Sequence, residues 1–470
     1  MIASMRYVST RGHSPDHDFS GVLLAGLAED GGLYMPESWP VFSADDWRAL
    51  RGLPYPELAA RVMAPFTAGA IDAETLHRLC REAYAGFAHP ATVPLVQIDR
   101  DLYVQELFHG PTLAFKDMAM QLLGRLFDHV LTAQDRRVTI VGATSGDTGS
   151  AAIEACRDRA RLDVVILHPL GRTSEVQRRQ MTTVRAPNIA NLALEGTFDD
   201  CQDMVKAMFA DLPFRTDLQL SAVNSINWAR VAAQIPYYVA AALALGAPDR
   251  EVAFAVPTGN FGNVFAAWAA RRMGLPIVRL AIGANRNDIL ARFLASNDMS
   301  VRTVAPSLSP SMDIQVSSNF ERLLFELLGR DPERCAAIMI GFRRDGRMAV
   351  PDAAWRDATS LFHGLTLDDP ATEAAIRRLH REARYLADPH TAIGIEAGRA
   401  CALPGVPMVA MATAHPAKFP EAMLAATGHR PDLPPHLADL YEREERYRVV
   451  PNRLAAVEDA VRAAVRPNAA

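Results

Sequence analysis

Val138-Thr139-Ile140-Val141-Gly142-Ala143-Thr144-Ser145-Gly146-Asp147-Thr148-Gly149-Ser150 sets the reading of the whole chain. A short apolar run stops at a glycine-bearing turn, and small residues then open a helix that is predicted to reach Arg157. Such a run, bounded by turn residues and only a few positions long, reads as a buried strand. The same rhythm recurs: Asp163 to Leu167, Ile189 to Leu194, Glu251 to Val256, Ile277 to Ile282 and Met408 to Met411 read as further strands. Helices are predicted over Asp199 to Phe209 and Phe261 to Met273. Ser225 to Leu245 reads as one long helix, or two broken near Pro236. Buried runs alternating with helices imply an α/β chain whose parallel sheets are covered on both faces.

Before residue 95 the pattern is mixed, with helical periodicity in Ala44 to Arg51 and Ala73 to Phe87, and Ser9-Thr10-Arg11-Gly12 as the one chemical cluster. Pro431-Asp432-Leu433-Pro434-Pro435 precedes what reads as a helical tail. The 470 residues are 49% apolar and 22% charged, which excludes disorder and a small disulfide scaffold and suggests about two to four domains. A net charge of −5 without any basic block argues against nucleic acid and anionic membranes as partners. The oily stretch from Ile235 to Gly246 contains Pro236 and is too short to span a bilayer. The five cysteines are scattered, without CxxC spacing, so neither a disulfide framework nor a metal site is expected. Met1 to Tyr7 has no apolar core of a leader, and a cytoplasmic location is the expectation.

Lysine usage narrows the search for chemistry. Of 49 basic residues only three are lysines: Lys116, Lys206 and Lys418. A GC-rich genome by itself drives surface lysine to arginine; a lysine that remains is then enriched where a guanidinium cannot substitute, because arginine does not shed its proton to act as a nucleophile. Lys116 follows His109-Gly110-Pro111-Thr112-Leu113-Ala114-Phe115 and opens a helix in apolar company, where desolvation favours the neutral amine. The other reading is a surface lysine paired with Asp117. Lys206 fits the solvated face of an amphipathic helix. Lys418 sits in Ala412-Thr413-Ala414-His415-Pro416-Ala417-Lys418, directly after a strand.

Two turns have the form of anion sites. Ser145 to Thr148 would aim backbone N–H groups over a strand end. Pro257-Thr258-Gly259-Asn260-Phe261-Gly262-Asn263 offers consecutive amides without a cationic side chain. Taken alone, the first turn reads better as an ordinary helix start capped by Ser145 or Asp147, and the second has the other reading of a plain strand-to-helix loop. Neither is a dinucleotide fingerprint or a Walker A loop. Together with an amine nucleophile, a phosphate cradle of this kind is what pyridoxal 5′-phosphate requires.

The chain closely resembles the threonine synthase family, in its longer bacterial and fungal type. The resemblance runs over nearly the whole length. It rests on the Lys116 segment, Ser145-Gly146-Asp147-Thr148-Gly149, Gly171-Arg172-Thr173-Ser174, Asn224-Ser225-Ile226-Asn227-Trp228-Ala229-Arg230, Gly259-Asn260-Phe261-Gly262-Asn263, Ser317-Ser318-Asn319-Phe320-Glu321-Arg322 and Thr413-Ala414-His415-Pro416. It implies a fold-type II (tryptophan synthase β-like) enzyme of two α/β domains with an N-terminal segment. The implied division is 1–95 N-terminal, 96–130 with 246–430 as the large cofactor-binding domain, 131–245 as the small domain, and 431–470 as a helical tail.

The implied activity converts O-phospho-L-homoserine and water to L-threonine and phosphate. Lys116 would be the Schiff-base residue, Gly259, Asn260, Phe261, Gly262 and Asn263 the cradle for the cofactor phosphate, and Asp147 and Thr413 the partners of the ring. Ser145 and Thr148 would bind the substrate carboxylate. Asn319 and Arg322, one turn apart, would face the substrate phosphate, with Arg11 or Lys418 as further candidates. Thr173 and Leu170 depart from common family residues without touching this chemistry. The resemblance leaves a related eliminating lyase, threonine dehydratase-like or forming 2-oxobutyrate, as the alternative, and the chain would work as a monomer or homodimer.

Overall fold

The apolar runs fold as strands that sort into two sheets. The computed structural model describes residues 4–221 and 224–466; Met1 to Ala3, the start of the stretch read for a leader, lie outside the described residues. β1 (Tyr7–Ser9) and β2 (Tyr34–Pro36) pair as an antiparallel ribbon in the N-terminal segment. β3 (Leu95–Asp99) and β4 (Leu102–Glu106) form a hairpin that opens the larger sheet. β5 (Val138–Ala143), β6 (Leu162–Pro169), β7 (Ile189–Leu194) and the short β8 (Leu220–Ser221) make the smaller one. The chain then returns to the larger sheet with β9 (Val252–Pro257), β10 (Ile277–Ala284), β11 (Phe362–Thr366) and β12 (Met408–Ala412). β13 (Arg448–Val450) goes back to the smaller sheet, parallel to β7.

The larger sheet has the order β11-β10-β9-β12-β4-β3 and the smaller β13-β7-β6-β5-β8. Apart from the β3–β4 hairpin, their pairings are parallel. Both faces are buried, as the strand composition requires. On β9, Val252, Phe254 and Val256 enter one core cluster while Ala253 and Ala255 enter another. On β5, Ile140 and Val141 divide in the same way.

Of the two readings of Ser225 to Leu245, the broken one holds: Trp228–Ala232 and Ile235–Ala244 are separate helices, with Pro236, which lacks an N–H, in the first turn of the second. One expectation needs correction. The tail is helical over Leu454–Ala464 but first supplies β13, which is too short to stand out among the charged residues around it. Among the described residues, no helix is long and apolar enough to cross a membrane.

Parallel strands bring their carboxyl ends to one edge, where open α/β sheets bind ligands. The turns after β5, β9 and β12 and the loop after β4 all lie at such ends.

Candidate active site

Lys116 is the first residue of the Lys116–Ala133 helix, and the loop before it is pinned at both ends. Buried Asp117 accepts from the backbone N–H and the hydroxyl of Thr112, each at 2.7 Å. Phe115 N–H donates to the Thr413 carbonyl at 2.8 Å, and His415 N–H to the Leu113 carbonyl at 2.9 Å. The loop after β4 is thereby zipped to the segment after β12. Lys116 is left only 9% exposed, facing the smaller sheet.

Its partner there is Asp147, the first residue of the Asp147–Cys156 helix. Lys116 Nζ donates to Asp147 Oδ2 at 3.0 Å. Lys418 Nζ lies 2.8 Å from Oδ1 of the same carboxylate, and Gln177 Nε2 donates to Oδ1 at 2.8 Å. Ser311 Oγ adds a bond of 3.3 Å to Oδ2. Burial alone would push the Asp147 carboxyl up. The charges of Lys116 and Lys418 and their hydrogen bonds outweigh it and hold this group well below the usual carboxylate range. Burial also depresses the Lys116 ammonium; Asp147 opposes that shift, while Lys418 and Arg230 add to it. Lys206, by contrast, is exposed and bound to Asp203.

The turn that carries Asp147 partly satisfies itself. Thr144 Oγ1 accepts from Gly146 N–H at 2.9 Å and Gly149 N–H at 3.0 Å. The amides of Ser145, Asp147 and Thr148 donate to no acceptor among the described residues. Gly146 is obligatory: its φ is +151°, and a Cβ would sit 2.6 Å from Gln177 Cδ.

The turn after β9 is arranged differently. Its carbonyls are drawn outward, Gly259 O by the Ser317 hydroxyl at 2.7 Å and Asn260 O by Asn319 Nδ2 at 3.0 Å. Phe261 is held at φ 62°, strained for a non-glycine residue, by ring contacts with Phe320 and Phe362. The amides from Gly259 to Asn263 therefore have no acceptor among the described residues. Tyr237 and Tyr238 both donate to Asn263 Oδ1, at 2.5 and 2.6 Å, which leaves its buried Nδ2 without a partner. A row of unpaired donors with no cation fits the phosphate of pyridoxal phosphate.

Several residues expected to contact substrate are engaged with the protein itself. Arg322 is completely buried and spends its guanidinium on the carbonyls of Tyr34 and Ile226 and on Asn319 Oδ1. Asn319 in turn ties Asn260 O and Ser225 O, so this pair braces the cradle from behind. Arg11 forms a two-pronged ion pair with Glu321, at 2.9 and 2.8 Å, and docks the N-terminal segment. Helical spacing places Asn319 and Arg322 on one face correctly, but their carbonyl partners are remote in sequence. Ser145 is exposed and Thr148 half-buried. Thr413 is buried, its N–H donating to Thr391 Oγ1 at 3.2 Å.

Sequence reasoning missed Arg230. On the Trp228–Ala232 helix it is 5% exposed, and its guanidinium has no hydrogen-bond or ion-pair partner among the described residues. Burial depresses it to about 10. An enclosed guanidinium without a carboxylate is costly unless an anion joins it. The motif that carries it was visible; the missing partner was not.

Comparison with known proteins accords with this geometry. Family models described as "Threonine synthase N terminus", "Pyridoxal-phosphate dependent enzyme" and "Threonine synthase, C-terminal" match residues 6–84, 89–339 and 391–461. A threonine synthase of Pseudomonas aeruginosa is 57% identical over 456 residues, covering 97% of both chains. The chain belongs to the threonine synthase family. It is accordingly a pyridoxal-phosphate-dependent lyase of fold type II, and the alternative of a different eliminating lyase is not favoured. The pyridoxal-phosphate-bound threonine synthase of Brucella melitensis has the same fold, with a TM-score of 0.97 at 53% identity over 99% of this chain and 100% of its own. The yeast threonine synthase matches with a TM-score of 0.93 at 36% identity, over 98% of this chain and 99% of its own.

Proposed function

We propose that the substrate is O-phospho-L-homoserine, and that Lys116 is the amine which takes up the cofactor and later moves protons on the substrate. The observation that carries this reading is the buried Lys116 Nζ, 3.0 Å from Asp147, in a chain that also offers two turns with free amides. Pyridoxal phosphate, when bound, supplies the electron sink that makes protons at the substrate's Cα and Cβ removable. The amides of Gly259 to Asn263 with Asn263 Nδ2 would hold the cofactor phosphate, and Asp147 and Thr413 would be the partners of its ring. The free amides of Ser145, Asp147 and Thr148 take the substrate carboxylate. Arg230 faces the substrate phosphate, where a fixed cation stabilises the charge that grows as phosphate leaves.

With the cofactor held, Lys116 would be the base beside Cα. It would take the proton there; a Cβ proton would be removed next, phosphate would leave Cγ, a proton would be added at Cγ, and water would give its hydroxyl to Cβ while a proton returns to Cα, yielding L-threonine. The assembly proposed is a monomer or homodimer. The five buried, unpaired cysteines suit the cytoplasm.

Purified protein given O-phospho-L-homoserine should release threonine and phosphate in equal amounts, and Lys116→Ala should abolish both. 2-Oxobutyrate as the main product would overturn the reading. Arg230→Met should raise KM for the phosphorylated substrate by about 100-fold, in the range for losing one partner of a buried ion pair, while leaving cofactor affinity intact.

A further inference from the structure

One carboxylate between two lysines poses a charge problem. Asp147 Oδ1 lies 2.8 Å from Lys418 Nζ, and Oδ2 lies 3.0 Å from Lys116 Nζ. Both amines are buried, Lys418 completely. The groups that face Lys116 are Asp147 from the helix after β5, Lys418 from the segment after β12, and Arg230 from the Trp228–Ala232 helix. Asp117, its neighbour, is occupied by Thr112. Two ammoniums and a guanidinium against one ionised carboxylate would leave net positive charge in a desolvated space. A lysine can relieve this by releasing a proton; an arginine cannot.

The hydrogen bonds indicate which lysine does so. Lys418 Nζ serves two acceptors, Asp147 Oδ1 and the Thr112 carbonyl at 2.7 Å. Lys116 Nζ has one, Asp147 Oδ2, and shares it with the Ser311 hydroxyl. Removing a proton from Lys116 sacrifices less.

We propose that Lys418 is a positioning residue that sets the charge of the site: its ammonium is the standing counter-ion of Asp147, so that Lys116 is presented as an uncharged amine. The inference rests on the reading of Lys116 as the amine that takes up the cofactor. Lys418 also ties this charge to the correct loop, because its second acceptor is the Thr112 carbonyl just ahead of Lys116.

The direction of the effect follows from the charges. Without the Lys418 ammonium, Asp147 pairs with Lys116 alone and Lys116 keeps its proton to higher pH. Each unit of that rise cuts the neutral fraction tenfold at a pH below the midpoint. The three lysines of this chain make the measurement direct. The full-length chain, freed of cofactor and labelled with 13C-lysine, is titrated by NMR with Lys418→Met beside it. Added pyridoxal phosphate is followed by visible absorbance and trapped with borohydride over the same pH range.

In Lys418→Met the Lys116 midpoint should move to higher pH, and the pH profile of cofactor capture should move with it. An unmoved midpoint, or capture slowed equally at every pH, overturns the proposal. Should Lys418→Met fail to fold by circular dichroism, Asp147→Asn takes its place. There the Lys116 midpoint must move to lower pH, and an unmoved one overturns the proposal. Trapping on a lysine other than Lys116 would instead sink the underlying reading of the site.

Discussion

The turns after β5 and β9 resemble each other as sequence, yet they are finished in opposite ways. After β5, Thr144 consumes two amides and the chemistry falls to side chains: Asp147 flanked by Lys116, Lys418 and Gln177. After β9, Ser317 and Asn319 hold the carbonyls back and the amides are left open with no charged side chain among them. A backbone cradle holds an anion without itself titrating, which suits a ligand meant to stay. The side-chain site, on the proposed reading, would trade protons, which suits reaction. That reading places retention and reactivity in separate turns.

The sharpest break of this contrast is Lys116→Ala. It should lower threonine formation on the order of 10³-fold or more, with no cofactor trapped by borohydride, while the intact cradle still binds pyridoxal phosphate reversibly in dialysis. Next in size is Gly259→Val. A Cβ there already stands 3.0 Å from the Ser311 carbonyl and 3.2 Å from Met312 Cα. The displaced cradle should weaken cofactor binding about 100-fold, equivalent to about 2.7 kcal/mol. Thr144→Val tests the opposite turn: losing a shared acceptor should cost about 1–3 kcal/mol in urea unfolding, with cofactor affinity nearly unchanged. Equal losses of affinity in Gly259→Val and Thr144→Val would erase the distinction.

The smallest effect concerns pH. Burial pushes the Asp117 carboxyl up to about 7, against the hydrogen bonds from Thr112. The folded chain thus keeps a proton that the unfolded chain has lost, so stability falls as pH rises from about 4 to about 7. Asp117→Asn should flatten that slope by up to about 1.4 kcal/mol per pH unit, read from denaturant unfolding at several pH values.

Most of the framework was legible because its strands are apolar on both faces. Ile189–Leu194 was read with the bounds the structure gives, and Val252–Pro257 to within one residue. β3 and β11 escaped because they are edge strands with exposed positions, such as Gln97 and Gly364, that break an apolar run. Lys116 stood out through the scarcity of its residue type. Arg230 did not, since its signal is a partner it lacks. The protein partners of Asn319 and Arg322 were hidden for the converse reason: Tyr34 and Ile226, whose carbonyls occupy Arg322, lie far away in the sequence. Spacing tells which residues share a face, not what the face meets.

The bond from Lys418 to the Thr112 carbonyl joins positions 306 residues apart. A nascent chain therefore displays its helix-opening lysine long before the segment that completes the pocket has left the ribosome. On the proposed role of Lys116, loading with vitamin B6 would wait until synthesis is nearly finished, and a product truncated before Lys418 should not carry it in its working form.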